Sequence, residues 1–200
     1  MGVFIPTYFS PISQYIGMLE TNSIEFEIED NFQKQSYRNR CYIYGANGKQ
    51  LLNIPVSHPF TYKKKKTKDT LIEKGSNWQQ QHLKSLKSAY NLSPFFEFYI
   101  DDLQPIFNKN YKYLLDVNID TFLFVKDALD LDINYTKTIE YSSSKDDFRD
   151  LANAKKKPDI TSKPYIQIFD EKYGFIENLS IIDLLFMEGP NSISFLEKSN

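Results

Sequence analysis

The sequence lacks several features that common classes of protein need. One cysteine among 200 residues cannot form an internal disulfide, so we expect a reducing environment such as the cytoplasm. The two histidines come without clustered cysteines, and we therefore predict no metal site. Only seven glycines occur, and no Gly-x-Gly-x-x-Gly, P-loop or Gly-x-Ser-x-Gly motif is present, which excludes the common phosphate-binding loops and the serine-hydrolase elbow. No motif indicates a cofactor.

The chain also lacks an excess of charge and a long apolar run. Its 24 basic and 26 acidic residues give a net charge of -2, so no overall field favours nucleic acid or an anionic membrane, and we predict neither as a partner. The longest apolar runs, Phe122–Val125 and Ile181–Met187, are far too short to span a bilayer, and the first residues do not resemble a secretory signal. These absences predict a cytoplasmic protein in which any anion recognition is local.

The apolar content that is present suffices for a packed core. Hydrophobic residues make up 41% of the chain and aromatic residues 16%, so we predict a single domain over residues 1–200. The region 142–163 contains a run of serines, three consecutive lysines and Pro158, and we expect a mobile loop there, with a short helix near Asp147–Asn153. This loop is the expected position of any lid, and the lysine run at 63–66 is interpreted as a second, solvated loop.

Local patterns predict an α/β fold with a mixed sheet and helices packed on it. Gly2–Pro6 forms an apolar run that predicts a strand, and helical spacing follows over Pro11–Glu20. In Ile24–Ile28, isoleucine and phenylalanine alternate with glutamate, the period of a half-buried strand. Asn47-Gly48 lies between two apolar segments and predicts a hairpin over residues 41–56 in the same sheet, with Cys41 buried in its first strand.

Further elements follow from capping residues and composition. The sequence predicts a helix Trp78–Tyr90, a helix from Pro94 that Pro105 bends or ends, a helix Ile119–Leu129 capped by Asn118, strands Ile133–Tyr141 and Tyr165–Phe169, and a helix begun by a Ser180/Asp183 capping box. An aromatic wedge in the second of these helices is expected to be core, and it comprises Phe95, Phe96, Phe98 and Tyr99.

A segment that leads into the hairpin has the composition of a binding site. It contains Lys34, Arg38 and Arg40 together with several amide side chains, among them Asn39. If the chain is extended from Tyr37, the two arginines share one face and can form a fork for a phosphate or a carboxylate. Alternatively, the cations pair with the carboxylates of residues 25–30, and both interpretations stay open.

His82 is the best candidate for a catalytic residue. It is predicted on the inner face of its helix, between Trp78 and Leu86. Such a histidine is either a satisfied core residue or a general base whose pKa is tuned by its surroundings.

Six blocks, spread nearly from one end of the sequence to the other, resemble one known family. They are Pro6-Thr7-Tyr8-Phe9-x-Pro11, Lys34-x-x-Tyr37-x-Asn39-Arg40, Asn53-Ile54-Pro55-Val56, Trp78-x-x-x-His82, Tyr90-x-x-x-Pro94-Phe95-Phe96 and Leu179–Leu185. The chain is similar in these blocks to the WbqC-like family, which is associated with bacterial surface-polysaccharide (O-antigen) gene clusters. The resemblance therefore implies a pathway but does not identify a reaction. The chain differs from the longer family form in Tyr37, in its Ile-Pro-Thr opening and in a shorter region between about 141 and 165.

Residues and resemblance together give two hypotheses. The first is a transferase of glycan-precursor biosynthesis that binds an anionic sugar nucleotide or acyl donor. The alternative is a non-catalytic binding or assembly protein of the same pathway, whose aromatic residues form a partner interface. His82 is the predicted catalytic residue, and the predicted substrate-binding residues are Tyr8, Lys34, Tyr37, Arg38, Asn39, Arg40 and Trp78.

Overall fold

A computed structural model describes residues 1–21, 23–57, 65–141 and 146–197. The strands are β1 (Gly2–Phe4), β2 (Ser23–Phe26), β3 (Arg40–Gly45), β4 (Gly48–Asn53) and β5 (Asn134–Lys137). The helices are α1 (Ile12–Leu19), α2 (Trp78–Tyr90), α3 (Phe96–Asn108), α4 (Leu114–Ala128), α5 (Asp170–Tyr173), α6 (Ile181–Glu188) and α7 (Ser192–Leu196). The α/β fold class is therefore confirmed. Among these residues, no helix is both long and apolar enough to cross a membrane.

Parallel strands form the first sheet, in the order β1-β2-β5. The register places Phe4 beside Phe26, and Phe26 beside Lys137. Because α1 lies between β1 and β2 in the chain, it supplies the crossover that parallel neighbours require. The outer edge of β1 is covered, since Val3 pairs in parallel with Asp147 through backbone hydrogen bonds to residues 146 and 148.

The predicted hairpin is present, but it forms a sheet of its own. β3 and β4 pair antiparallel from Arg40 opposite Asn53 to Gly45 opposite Gly48. Gly48, with φ of 94°, takes the left-handed conformation after the turn, which glycine adopts without steric cost. The expectation that the hairpin joins the strands Gly2–Pro6 and Ile24–Ile28 was wrong. One edge of that sheet is already occupied by the segment at Asp147, and the hairpin packs on α2 and α6 instead.

Two helices extend beyond their predicted ends. α3 continues through Pro105 to residue 108, so of the two predicted effects of this proline, bending or ending the helix, the second does not occur. α4 begins at Leu114, and Asn118 lies inside it, where its Nδ2 donates to the carbonyls of Pro6 (3.0 Å) and Arg38 (2.8 Å). Tertiary hydrogen bonds, rather than capping, therefore explain Asn118.

In the C-terminal part, one predicted element is confirmed and another is absent. A short 3-10 helix, Arg149–Ala152, confirms the helix predicted near 147–153. Tyr165–Phe169 is no strand: Tyr165 and Gln167 are buried in alternation, but the segment has no ladder partner in the described part of the chain. The lid stays a prediction, because residues 142–145 lie outside the described residues, as do 58–64 with His58.

The core is built mainly from aromatic and branched side chains of the helices and β2. Residues 181–186 of α6 are all buried, so this helix lies in the interior. Phe96 and Tyr99 are core residues as expected, but Phe98 is 69% exposed, and the prediction of a wholly buried wedge was wrong. Cys41 is buried as predicted, and burial raises the pKa of its thiol.

Candidate functional site

Arg38 does not share a face with Arg40. Residues Tyr37–Asn39 form a 3-10 turn instead of the predicted extended strand, and the Arg38 side chain is only 3% exposed. Its guanidinium forms an ion pair with Asp30, and its Nε donates to Thr67 Oγ1 (3.3 Å). Burial lowers the pKa of Arg38, and the Asp30 carboxylate opposes that shift. The structural alternative, pairing with a carboxylate of residues 25–30, is confirmed for Arg38.

Arg40 begins β3 and has a different environment. Its Nε is buried and has no hydrogen-bond partner, and its guanidinium takes part in no ion pair with the described residues. It lines a cleft of about 380 Å³, which we call the Arg40 cleft. Other lining residues are Phe32, Lys34, Asn39, Asn53 and Glu73. Three of the predicted substrate-binding residues, Lys34, Asn39 and Arg40, therefore meet at one place.

Asn39 presents a second unsatisfied group in this cleft. Its Nδ2 donates to Asn53 Oδ1 (3.1 Å) and to the carbonyl of Ile54 (2.8 Å), which fixes the orientation of the amide. Its Oδ1 is buried and has no hydrogen-bond partner among the described residues. Two residues that line the cleft thus carry a buried atom without a partner among the described residues, a donor on Arg40 and an acceptor on Asn39. A ligand with an anionic oxygen beside a hydroxyl or an N–H group would satisfy both.

Tyr8, Trp78 and His82 form a separate, buried cluster. The Tyr8 hydroxyl lies 3.0 Å from His82 Nδ1, and the Trp78 ring packs edge-on to the imidazole at 5.3 Å. His82 is 4% exposed, and none of the three residues lines the Arg40 cleft. The predicted inner-face position of His82 is correct, whereas its catalytic role stays a prediction.

His82 nevertheless connects to the Arg40 cleft through Asn53. Burial lowers the pKa of His82 to about 4, and a hydrogen bond with the backbone of Asn53 opposes that shift. The side chain of Asn53 in turn accepts from Asn39. We infer that the histidine positions the end of β4, and through it the amide of Asn39.

The imidazole of His82 is expected to remain neutral at every pH above about 5. The pKa of His82 in the folded state lies below the ordinary value of about 6.5, so the unfolded state binds the proton more tightly. The contribution of His82 to stability is therefore complete above about pH 6.5 and is lost as the pH falls through about 4. An NMR titration of the ring protons measures this directly. The same protein unfolded in urea is the control, and there the ring should titrate at its ordinary pKa. A folded-state pKa near 6.5 would show a solvated ring and would contradict the sealed cluster.

A second cleft, of about 760 Å³, lies at the carboxyl ends of β1 and β2 and is lined by Ile5, Asp30 and Arg149 among others. Ligands of parallel α/β sheets commonly bind at this edge. Its carboxylates, however, already have cationic partners: Glu29 pairs with Lys66 and Lys68, Asp30 with Arg38, Asp147 with Arg149, and Asp150 with Lys156. The carboxylates of this cleft are therefore neutralised by ion pairs within the protein, whereas the Arg40 guanidinium has no such partner among the described residues.

Sequence comparison is consistent with this geometry. A family model described as the WbqC-like protein family matches residues 6–159, which include both the Arg40 cleft and the His82 cluster. The chain belongs to the WbqC-like protein family. No curated protein and no solved structure matches it. Within the WbqC-like region, the motif blocks around Tyr8, Asn39, Asn53 and His82 are joined by hydrogen bonds, which gives a physical reason for their occurrence together.

Tyr37, although it belongs to a WbqC-like block, lies apart from the Arg40 cleft. Its ring packs edge-on to Tyr42 with centroids 6.1 Å apart. It lines a smaller cavity of about 250 Å³ together with Phe148 and Pro158. Its substrate-binding role stays a prediction that this position does not favour.

Asp183, beyond the WbqC-like match, was misassigned from the sequence. It is fully buried, and its carboxylate accepts hydrogen bonds from the hydroxyls of Tyr90 (2.5 Å) and Tyr165 (2.6 Å). The helix does begin after Ser180 as predicted, but its cap has no side-chain hydrogen bond, so the predicted capping box does not form. Burial raises the pKa of Asp183 to about 6, and these hydrogen bonds lower it. In the described part of the chain, no group of three or more potential ligands could hold a metal ion.

Proposed function

We propose that this WbqC-like protein binds an anionic precursor of a bacterial surface glycan, a sugar nucleotide or an acyl donor, in the Arg40 cleft, and that it does so in the cytoplasm. The observation that supports the proposal is the Arg40 guanidinium, whose buried Nε has no hydrogen-bond partner in the part of the chain that the structure describes. Lys34, at the same cleft, adds a second cation.

The three arginines of the chain differ in their ion-pair partners. Arg38 is paired with Asp30, and Arg149 forms two hydrogen bonds with Asp147 (2.8 and 2.6 Å). Arg40 has no comparable partner among the described residues. A buried donor without an acceptor costs about 1–3 kcal/mol, and a bound anion would recover that cost. The arrangement therefore favours an external anion at Arg40.

Group transfer is the reaction class that would use such a donor. Glu73 is the carboxylate that lines the cleft, and it could accept a proton from an attacking hydroxyl or amine. His82 reaches the cleft only through Asn53, so its part in catalysis would be to position other residues.

Replacing Arg40 with glutamine is expected to weaken binding by about 1–3 kcal/mol, roughly 5- to 150-fold in affinity, because a charge-assisted contact is lost. Isothermal titration with uridine diphosphate glucose, thymidine diphosphate glucose and acetyl coenzyme A measures the effect. The unfolding midpoint should not fall, since Arg40 has no ion-pair partner among the described residues to lose.

The matched control is Lys49→Gln. Lys49 lies on β4 of the same hairpin and does not line the Arg40 cleft, and the substitution removes the same charge. It should leave affinity unchanged within about twofold. Equal weakening by both variants would assign the effect to net charge, and no binding by the wild-type protein would favour the assembly alternative.

A further inference from the structure

A cleft of about 1020 Å³ lies between α3 and α4, and no residue lining it also lines the Arg40 cleft. Its apolar lining includes Phe98, Ile106, Leu123, Phe124, Ala128 and Ile193. We call it the α3–α4 groove. The residues from α3 and α4 lie on two helices that contact each other, so the groove runs along a helix pair.

Part of this apolar lining reaches solvent. Phe98 is 69% exposed, and Leu123, Phe124 and Ala128 are only half-buried. A contiguous apolar surface beside polar residues is typical of a protein interaction site. A small polar metabolite would gain little from the apolar part of this lining.

The rim of the groove is acidic. Four aspartates line it, Asp102, Asp120, Asp127 and Asp130, against the single cation of Lys109. Lys109 is already bound to Asp120 at 2.6 Å, whereas the other three form no ion pair with the residues that the structure describes. The rim therefore carries uncompensated negative charge.

The apolar floor and the acidic rim together restrict which class of molecule the groove can bind. Anionic lipids and nucleic acids carry charge of the same sign as the rim and would be repelled. A groove between two packed helices accepts a third helix, with apolar residues against the floor. We propose that the α3–α4 groove docks an amphipathic helix of a partner protein, apolar on one face and bearing lysine or arginine along its flanks. This goes beyond ligand binding in the Arg40 cleft and does not depend on it.

The probe is a synthetic fluorescein-labelled peptide of about 18 residues, roughly five turns of helix, with leucines on one face and lysines on the flanks. Two further peptides are controls: one has glutamate in place of lysine, and the other has the basic composition in scrambled order. Fluorescence anisotropy should show binding of the basic amphipathic peptide alone. Equal binding of all three peptides, or no binding of the basic one, would overturn the proposal.

Charge reversal localises the site. Asp102→Lys with Asp127→Lys changes one rim residue on each helix and should weaken binding at least about tenfold, since attraction becomes repulsion. The matched control is Asp101→Lys with Asp116→Lys, at exposed positions of the same two helices, with the same charge change and outside the groove. This control should change affinity by less than about threefold.

Two outcomes would contradict the assignment. Equal weakening by both pairs would mean that the peptide responds to overall charge. A dimer in sedimentation velocity that Ala128→Arg dissociates would make a second copy of the chain the occupant.

Circular dichroism and the thermal midpoint of each variant establish that it is folded before binding is compared.

Discussion

Replacing Asp30 with alanine is expected to lower the free energy of unfolding by about 3–5 kcal/mol. Asp30 is 8% exposed and holds the buried guanidinium of Arg38, and its other oxygen accepts from Thr67 Oγ1 at 2.5 Å. Without the carboxylate, the buried positive charge of Arg38 loses its ion-pair partner and keeps only the weaker electrostatic interaction with Glu27. Urea denaturation at pH 7 measures the loss.

Asp150→Ala is the matched control for this effect. Asp150 also lines the cleft at the strand ends and also forms an ion pair, with Lys156, but its side chain is 76% exposed. Its replacement should cost less than about 1 kcal/mol, because solvent screens the pair. The double variant Asp30→Ala with Arg38→Met should be more stable than Asp30→Ala alone. A loss below about 1 kcal/mol for Asp30→Ala would contradict the buried pair.

Replacing Asp183 with alanine is expected to cost about 2–6 kcal/mol, since the hydroxyls of Tyr90 and Tyr165 would each lose an acceptor in the interior, at about 1–3 kcal/mol for each. The loss is measured by urea denaturation. Tyr165→Phe is the control, because it removes one donor and leaves none unpaired, and it should cost less than half as much. A cost below about 1 kcal/mol for Asp183→Ala would contradict the network.

The pH dependence of Asp183 has a defined sign. Burial raises its folded pKa from the ordinary 3.8 to about 6, so the folded state holds the proton more tightly than the unfolded state. Its contribution to stability is complete below about pH 4 and is lost as the pH rises through about 6. About two pKa units correspond to roughly 3 kcal/mol. The difference in unfolding free energy between wild type and Asp183→Asn should fall by that order from pH 4 to pH 7, and a constant difference would contradict it.

Much of the local structure could be predicted because short-range patterns determine it. β1, α1 and β2 follow from apolar spacing, and the hairpin follows from Asn47-Gly48. The assignment of strands to sheets could not be predicted, because it depends on which distant segment reaches each edge. The turn at Tyr37–Asn39 was missed for the same reason: Asn118 holds the carbonyl of Arg38 from 80 residues away.

In the candidate site, too, only contacts between residues close in sequence could be predicted. Lys34, Asn39 and Arg40 were found together because they are close in sequence. The partner of His82, by contrast, is Tyr8, 74 residues earlier, and no local pattern pairs them. Asp183 was assigned to a cap because that motif is local, whereas its partners Tyr90 and Tyr165 come from elsewhere in the chain.

The covered edge of β1 has a consequence for self-association. A parallel sheet with a bare edge can add strands from neighbouring molecules, the first step towards fibrils. Here the backbone at Asp147 already takes the hydrogen bonds of Val3, and at the opposite side β5 is only four residues long and ends in Lys137. Short length and a lysine are both known obstacles to strand addition. Concentrated solutions of the folded protein should therefore resist growth of β-sheet aggregates.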